Sequence, residues 1–137
     1  MNLELINELI KIKGGLINAP KELLFLSSVP KSDGEPYIEM RDGEIFYVSN
    51  ERGYEIFRVK ISDLDDLLYR VFSRVTMKLA TEYELKNRDI GKDCRRLIFA
   101  QQLVLLRALN KEWAAREAKK IYLILKEYPY VDGDGLN

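Results

Sequence analysis

The sequence predicts an α+β fold, with an N-terminal helix, a three-stranded antiparallel meander and then three helices packed on one face of the sheet. Two observations lead to this prediction. Between residues 37 and 61, apolar and polar residues alternate around two turns that contain glycine. From residue 62 onward, apolar residues recur at i, i+3, i+4 and i+7, which indicates amphipathic helices. A chain of 137 residues is the usual size of one domain, so we expect a single domain over residues 1–137.

Residues 1–36 are predicted to form a helix followed by an irregular segment. "LELINELIKI" places apolar residues on one helix face, and these are Leu3, Ile6, Leu9 and, as the next candidate, Ile12. Gly14-Gly15 is expected to stop this helix. Three prolines and a Ser-Asp-Gly cluster then indicate an irregular chain, with a short helical turn after Pro20.

Residues 37–61 are predicted to form the meander, with strands at 37–40, 44–49 and 54–61. "RDG" and "ERG" are the two turns. Gly53 suits the left-handed position of a three- or four-residue hairpin loop, and Asn50 also tolerates a positive φ. Glu51 and Arg52 are unusual there, because turns favour small polar residues. The "ERG" turn therefore either only closes a hairpin or displays charges that another molecule reads.

Residues 62–128 are predicted to be helical. Ser62 is the expected N-cap of the first helix, with Asp65 in the capping-box position, and the core residues of this helix are Leu64, Leu67, Leu68, Val71, Phe72, Val75 and Leu79. Gly91 separates it from a second helix, whose core residues are Leu97, Ile98, Leu103 or Val104, Leu106 and Leu109. Asn110 caps the last helix, which carries Trp113, Ile121, Leu125 and Tyr128 and stops at Pro129. Residues 129–137 are expected to be a frayed tail.

Composition excludes several classes of function. The 22 acidic and 22 basic residues balance, so no global field attracts nucleic acid or an anionic membrane. The chain has no membrane-length apolar run and no signal peptide, and its lone Cys94 fits a reducing compartment, so we expect a cytoplasmic protein. Without histidine, a zinc site and the commonest general base are missing. No metal, cofactor or catalytic motif is predicted, and an enzyme restricted to carboxylate, Tyr and Lys chemistry is the least favoured alternative.

Charge is concentrated in residues 81–96, "TEYELKNRDIGKDCRR". One interpretation is a solvated face at a helix junction. The alternative is a buried ion network that ties this junction to the sheet, with Arg52, Glu84, Arg88, Asp93 and Arg96 as its members. Aromatic residues are concentrated in the sheet and the first covering helix. Half of them must pack in the core, and the others form either ordinary sheet surface or a patch for a partner.

Several segments resemble the immunity protein 63 family, small bacterial proteins encoded beside polymorphic toxins. The resemblance extends from about Pro20 to Asp132. It rests on the "ERG" turn, the "LLY" helix, "YELKNR", "DCRR", the single tryptophan and the final proline. The motif residues, which we expect to be structural, are Glu51, Arg52, Gly53, Tyr69, Glu84, Arg88, Asp93, Arg96 and Trp113.

The resemblance implies a non-catalytic bacterial inhibitor that binds a cognate toxin protein. If that toxin is a basic nuclease, an acidic patch is expected to bind it. The candidate partner-binding residues are Asp33, Glu35, Tyr37, Glu39, Asp42, Glu44, Tyr47, Asp63 and Asp66. The alternative is a stand-alone interaction or regulatory module without a toxin partner. Neither nucleic acid nor a membrane is expected as a partner, and the sequence leaves the toxin and the oligomeric state open.

Overall fold

The computed structural model describes residues 2–133. Its helices are α1 (Leu3–Leu16), α2 (Leu64–Lys86), α3 (Cys94–Leu109) and α4 (Lys111–Glu127), and its strands are β1 (Tyr37–Arg41), β2 (Glu44–Glu51) and β3 (Tyr54–Lys60). The predicted order of helix, three-stranded sheet and three helices is therefore confirmed. A 3₁₀ turn at Lys21–Leu23 confirms the helical turn expected after Pro20.

The chain forms two compact units. One comprises Met1–Gly15 and Pro20–Val71, and the other comprises Leu16–Ala19 and Phe72–Asn137. The main boundary falls inside α2, between Val71 and Phe72.

Helix α1, in the first unit, continues through both glycines, so the prediction that Gly14-Gly15 ends it was wrong. Gly14 is buried, and a Cβ atom there would lie 2.4 Å from both Cδ atoms of Leu24. This glycine therefore makes room for a packed side chain and does not terminate the helix. Of the predicted helix face, Ile6 is buried as expected, whereas Ile12 is 64% exposed and Ile10, which was not predicted, is fully buried.

The sheet has the strand order β1-β2-β3, and both of its connections are tight antiparallel hairpins. Asp42 and Gly43 have φ values of 53° and 77°, and Arg52 and Gly53 have values of 51° and 83°. Two consecutive left-handed residues define the type I′ turn, whose twist matches that of the flanking strands. The "ERG" hairpin thus has a two-residue loop, shorter than predicted. Asn50 does not supply the positive φ, because it belongs to β2.

A β-bulge interrupts the second hairpin. Ser49 pairs with Phe57 and Asn50 pairs with Glu55, which leaves Ile56 as an extra residue in β3. A bulge of this kind bends its strand and increases the local twist. It also shifts the alternation that the sequence predicts, so that Glu55 and Arg58 lie on the same face and form an ion pair.

The start of α2 is capped one residue later than predicted. The backbone N–H of Asp66 donates to the Asp63 carboxylate at 2.8 Å, and the carboxylate of Asp66 accepts from the N–H of Ser62 at 3.1 Å. Asp63 is therefore the cap, and Asp66 makes the reciprocal contact predicted for Asp65. Leu64 consequently lies in the exposed first turn, at 36% exposure, and is not a core residue.

The core of the second unit combines aromatic stacking with buried polar contacts. Phe72 and Trp113 stack with ring centroids 5.9 Å apart, and both are almost fully buried. Beside them, the Ser73 hydroxyl donates to the buried carboxylate of Glu117, and the Gln102 amide donates to the Ser73 carbonyl at 2.9 Å. These contacts connect side chains of α2, α3 and α4.

The predicted core of α3 and α4 is corrected at Val104 and Tyr128, and it lacks two buried polar residues. Val104 is 55% exposed, because the turn of α3 that faces inward carries Phe99, Gln102 and Leu106. Tyr128 is 63% exposed and follows the last residue of α4. Asn110 caps α4 as predicted, accepting from the N–H groups of Glu112 and Trp113. Polar residues at buried positions, Gln102 and Glu117, were missed because hydrophobic periodicity does not detect them.

Candidate functional site

Asp93 organises the start of α3. Its carboxylate accepts from the backbone N–H of Arg95 at 3.0 Å, which makes it the N-cap of this helix. The same carboxylate pairs with the Arg95 guanidinium at 2.8 Å and accepts from the N–H of Val131 at 2.9 Å. The hydrogen bond from Arg95 holds the pKa of Asp93 well below its ordinary value of 3.8.

The two arginines of "DCRR" hold the segment that follows α4. Arg95 donates to the carbonyl oxygens of Tyr128 and Pro129, each at 2.9 Å. Arg96 pairs with Asp132 at 2.9 Å and lies over the ring of Tyr130, with its guanidinium carbon 4.3 Å from the ring centroid. The described part of the expected frayed tail, residues 129–133, is therefore held against α3. Residues 134–137 lie outside the described residues.

Glu84 and Arg88 form a further ion pair at this junction. Glu84 is buried and forms an ion pair with Arg88 at 3.2 Å, and its hydrogen bonds raise the pKa of Arg88. Beside this pair is a cleft of about 450 Å³, which is lined by Glu84, Asp89, Lys92, Asp93, Cys94, Arg96, Leu97 and Asp132. The outcome lies between the two interpretations of residues 81–96: Glu84, Arg88, Asp93 and Arg96 are in ion pairs, whereas Glu82, Lys86 and Lys92 are exposed. Asp132, a member of this cluster, was missed because it is 36 residues from Arg96.

The "ERG" turn is held by main-chain contacts within its own unit. Arg52 donates its N–H to the Ser32 carbonyl at 3.0 Å, and Gly34 donates to the Asn50 carbonyl at 2.8 Å. Asp33 and Glu51 form an isolated antiparallel bridge. The side chains of Glu51 and Arg52 are exposed, so the turn is anchored by its backbone rather than by its charges. Two further motif residues, Tyr69 and Trp113, are buried, which agrees with a structural role.

The candidate partner-binding residues separate into two groups. Tyr37, Tyr47 and Asp66 are buried, at 3%, 5% and 7% exposure, and therefore do not belong to an accessible surface. Asp33, Asp42, Glu44 and Asp63 are exposed, and Glu35 and Glu39 are half-buried.

Two of these acids, Glu39 and Glu44, are neutralised by neighbouring bases on one face of the sheet. Glu39 pairs with Arg58 and with Arg41 at 3.5 Å, and Glu44 pairs with Lys60 at 2.9 Å. The hydrogen bond from Arg58 lowers the pKa of Glu39. This face is therefore a ladder of cross-strand ion pairs and not the uniformly acidic patch that a basic partner would require.

Strand β3 lies at an edge of the sheet and carries exposed apolar side chains. Among residues 2–133 it pairs only with β2, and all of its residues except Val59 are exposed. Tyr54 is 78% exposed, Ile56 is 53% exposed and Phe57 is 37% exposed. The ring of Phe57 packs edge-on against the ring of the buried Tyr47, with centroids 5.7 Å apart. This contact fixes Phe57 of β3 against β2. Open edges with apolar side chains are where another chain can add a strand.

Comparison with known families identifies the class of protein. The model of the family described as immunity protein 63 matches residues 42–122, which extend from the first hairpin turn into α4. The chain belongs to the immunity protein 63 family, as the sequence motifs indicated. No curated protein and no solved structure matches the chain.

Residues 2–133 contain neither a helix suited to spanning a membrane nor a cluster of metal-binding side chains. None of the described helices has both the length and the apolar character needed to cross a membrane. Within the same residues, no group of three or more His, Cys, Asp or Glu side chains is arranged to hold a metal ion.

Proposed function

We propose that this protein is a non-catalytic immunity protein that binds and neutralises a cognate bacterial toxin domain. The observation that carries the proposal is the family match over residues 42–122. Inhibition by binding requires a firmly held scaffold and a few anchoring side chains, and it needs no catalytic group. The capped helices, the tight hairpins and the paired charges at the start of α3 supply such a scaffold.

The toxin-binding surface that the geometry favours is the open edge of β3 together with the acids next to it. An added strand would pair with the free N–H and C=O groups of β3, while Tyr54, Ile56 and Phe57 provide apolar contacts. Tyrosine is among the residues that most often anchor interfaces. Asp42, in the turn between β1 and β2, and Glu44, the first residue of β2, are exposed and would then form part of the polar rim.

The ion pairs on the sheet support this assignment. Arg58 is held by both Glu39 and Glu55, so a partner that covers β3 meets side chains that are already fixed. Less side-chain freedom is then lost on binding. Rim charges of this kind contribute more to the association rate and to partner choice than to affinity.

The first experiment is co-expression with the product of the neighbouring toxin gene. We expect the chain to rescue growth and to form a stable one-to-one complex by size-exclusion chromatography. Failure to bind or neutralise the product of any adjacent gene would contradict the proposal, and would favour an interaction module without a toxin partner.

The binding surface is tested by a matched pair of variants. Ile56→Glu places a charge on the open edge, and Met40→Glu places the same charge on β1, where Met40 is 63% exposed. We expect Ile56→Glu to weaken toxin binding at least tenfold, whereas Met40→Glu leaves it within about twofold, because central apolar contacts dominate interface energies. Equal effects of the two variants would show that β3 is not part of the interface, without contradicting the proposed immunity function.

A further inference from the structure

Helix α4 carries an outward-facing stripe that is separate from its buried face. Its residues repeat at intervals of three and four and line an open groove of about 470 Å³, and they are Arg116, Lys119, Lys120, Leu123, Ile124, Glu127 and Tyr128. The stripe is basic at its amino end and mostly apolar at its carboxyl end, where it also includes Glu127. Leu123 is 55% exposed and Tyr128 is 63% exposed. A gradient of this kind fits a partner helix that is acidic first and apolar afterwards.

Helix α1 of the same sequence has that complementary pattern on its own exposed side. Glu4 and Glu8 lie near its amino end. Leu5, Ile12 and Leu16 are exposed at 62%, 64% and 67%. These positions also follow helical spacing, so they form one stripe along the outside of α1. The amino ends of the two stripes therefore carry charges of opposite sign, and within the chain Glu8 also pairs with Lys11 at 3.5 Å and Lys120 with Glu117 at 3.7 Å.

We propose that α4 of one copy binds α1 of a second copy, with the two helices side by side and parallel. In that register every fourth residue of α1 meets its counterpart in α4, at a constant offset of 112 in residue number. The resulting pairs are Glu4 with Arg116, Glu8 with Lys120 and its neighbour Lys119, Ile12 with Ile124 and its neighbour Leu123, and Leu16 with Tyr128. Acids oppose bases in the first two turns, and apolar residues oppose each other in the last two.

The opposite orientation does not fit. An antiparallel pair that sets Leu16 against Arg116 would place Glu4 against Tyr128 and next to its neighbour Glu127. Like charges at one end and an apolar residue against a charge at the other would both disfavour it. The parallel register is therefore selected by the sequence of the two stripes and not only by their exposure.

The expected association is weak and depends on salt. One helix pair buries less than a standard interface, so a dissociation constant of tens of micromolar is the expected order. Because the charge pairs lie at the surface, raising the salt concentration should weaken the association. Each copy offers one α1 and one α4, so two copies can form two α1–α4 contacts with each other and close into a dimer. If only one contact forms between two copies, the free helices bind further copies and give longer chains.

The experiment is sedimentation velocity of the isolated chain, without toxin, up to about 0.5 mM. We expect concentration-dependent association of the wild type, its loss in Glu8→Lys and in Lys119→Glu, and its recovery in the double variant, in which the charges are exchanged. Lys111→Glu is the matched control, since it makes the same charge change on the opposite side of α4 and should leave association unchanged. Circular dichroism checks that each variant is folded.

Three outcomes would overturn the inference. The wild type could remain monomeric throughout the concentration range, or the single variants could associate as well as the wild type. The double variant could also fail to recover association. If the wild type is monomeric and Lys119→Glu abolishes toxin neutralisation, the α4 stripe belongs to the toxin interface instead. Because self-association is measured on the chain alone, its result is independent of the proposed immunity function.

Discussion

Replacing Asp93 should release the segment after α4 and destabilise the start of α3. Two substitutions separate its roles. Asn is as good an N-cap as Asp, so Asp93→Asn keeps the cap and removes the charge. Asp93→Ala removes the cap, the ion pair with Arg95 and the acceptor of the Val131 N–H together.

The magnitudes follow from these contacts. Loss of an N-cap costs about 1 kcal/mol, and a hydrogen bond to a charged group contributes about 1.5–3 kcal/mol, toward the lower end where water reaches it. We therefore expect Asp93→Ala to lower the free energy of unfolding by about 2–4 kcal/mol, and Asp93→Asn by about half as much. At about 4 °C per kcal/mol for a chain of this size, Asp93→Ala should lower Tm by roughly 8–16 °C.

Thermal unfolding followed by circular dichroism, together with hydrogen exchange at the Val131 amide, measures both effects. Glu82→Gln is the control, because it removes one carboxylate charge from an exposed position on α2. Its Tm should stay within about 2 °C of the wild type, since surface substitutions usually change stability by less than 0.5 kcal/mol. Faster exchange at Val131 in the Asp93 variants alone would locate the loss at this contact.

The pH dependence has a definite sign. The pKa of Asp93 in the folded chain lies below its ordinary value of 3.8, so its charge stabilises the fold above that pH and ceases to do so as the pH falls further. The stability difference between wild type and Asp93→Asn should be constant above about pH 5 and shrink below about pH 4. A difference that grows on acidification, or an Asp93→Ala variant as stable as Glu82→Gln, would refute this account.

Three further predictions concern packing and the hairpin turn. Gly14→Ala should destabilise the chain by about 1–3 kcal/mol in urea unfolding, because the new Cβ atom would lie 2.4 Å from Leu24. Gly15→Ala should stabilise α1 by about 0.5–1 kcal/mol, because its Cβ atom would meet nothing within 4 Å. Equal effects of the two substitutions would contradict this packing. Arg52→Asn should leave Tm unchanged or raise it, because asparagine tolerates the φ of 51° at this position better than arginine does. A fall in Tm of several degrees would show that the arginine side chain is structural. Trp113→Ala should cost about 3–5 kcal/mol, because it removes a buried ring stacked on its neighbour, and a loss below about 1 kcal/mol would contradict that core.

The sheet was predictable because local chemistry determines it. Asp42-Gly43 is a residue pair that type I′ turns favour, and strands of alternating polarity flank it. The "ERG" turn is less typical, since Arg52 occupies a left-handed position that its side chain does not favour. The main-chain contacts with residues 32–34 hold it there, and such long-range contacts leave no local signal in the sequence.

Tertiary packing explains the other differences. Gly14 looks like a helix stop in the sequence, yet it is a helical residue because Leu24 fills the space beside it. Periodicity marked Ile12 and Leu64 as buried, although their faces are exposed. Glu117, a charged residue on a helix, was not expected in the core, where its carboxylate accepts from the hydroxyl of Ser73 and pairs with Lys120 at 3.7 Å.

The candidate site was less predictable than the fold. Charge at the start of α3 was recognised, but its partner Asp132 lies in a segment that composition marks as a tail. Among the expected partner-binding residues, Tyr37 and Tyr47 lie on opposite faces of the sheet and are both buried. Both faces are covered at this point, and alternation along a strand does not reveal that. Which residues touch a partner is set by that partner, so one chain's sequence does not specify them.

The bulge in β3 has a consequence for insertions and deletions. Each hairpin has a two-residue loop, so adding or removing one residue within β2 would turn every side chain beyond that point to the other face of the sheet. Ile56 is the exception, since it has no partner in β2. Its deletion would restore regular pairing while leaving the turn and the faces of Glu55 and Phe57 as they are. We therefore expect length variation in this part of the sheet to be tolerated at residue 56 and at few other positions.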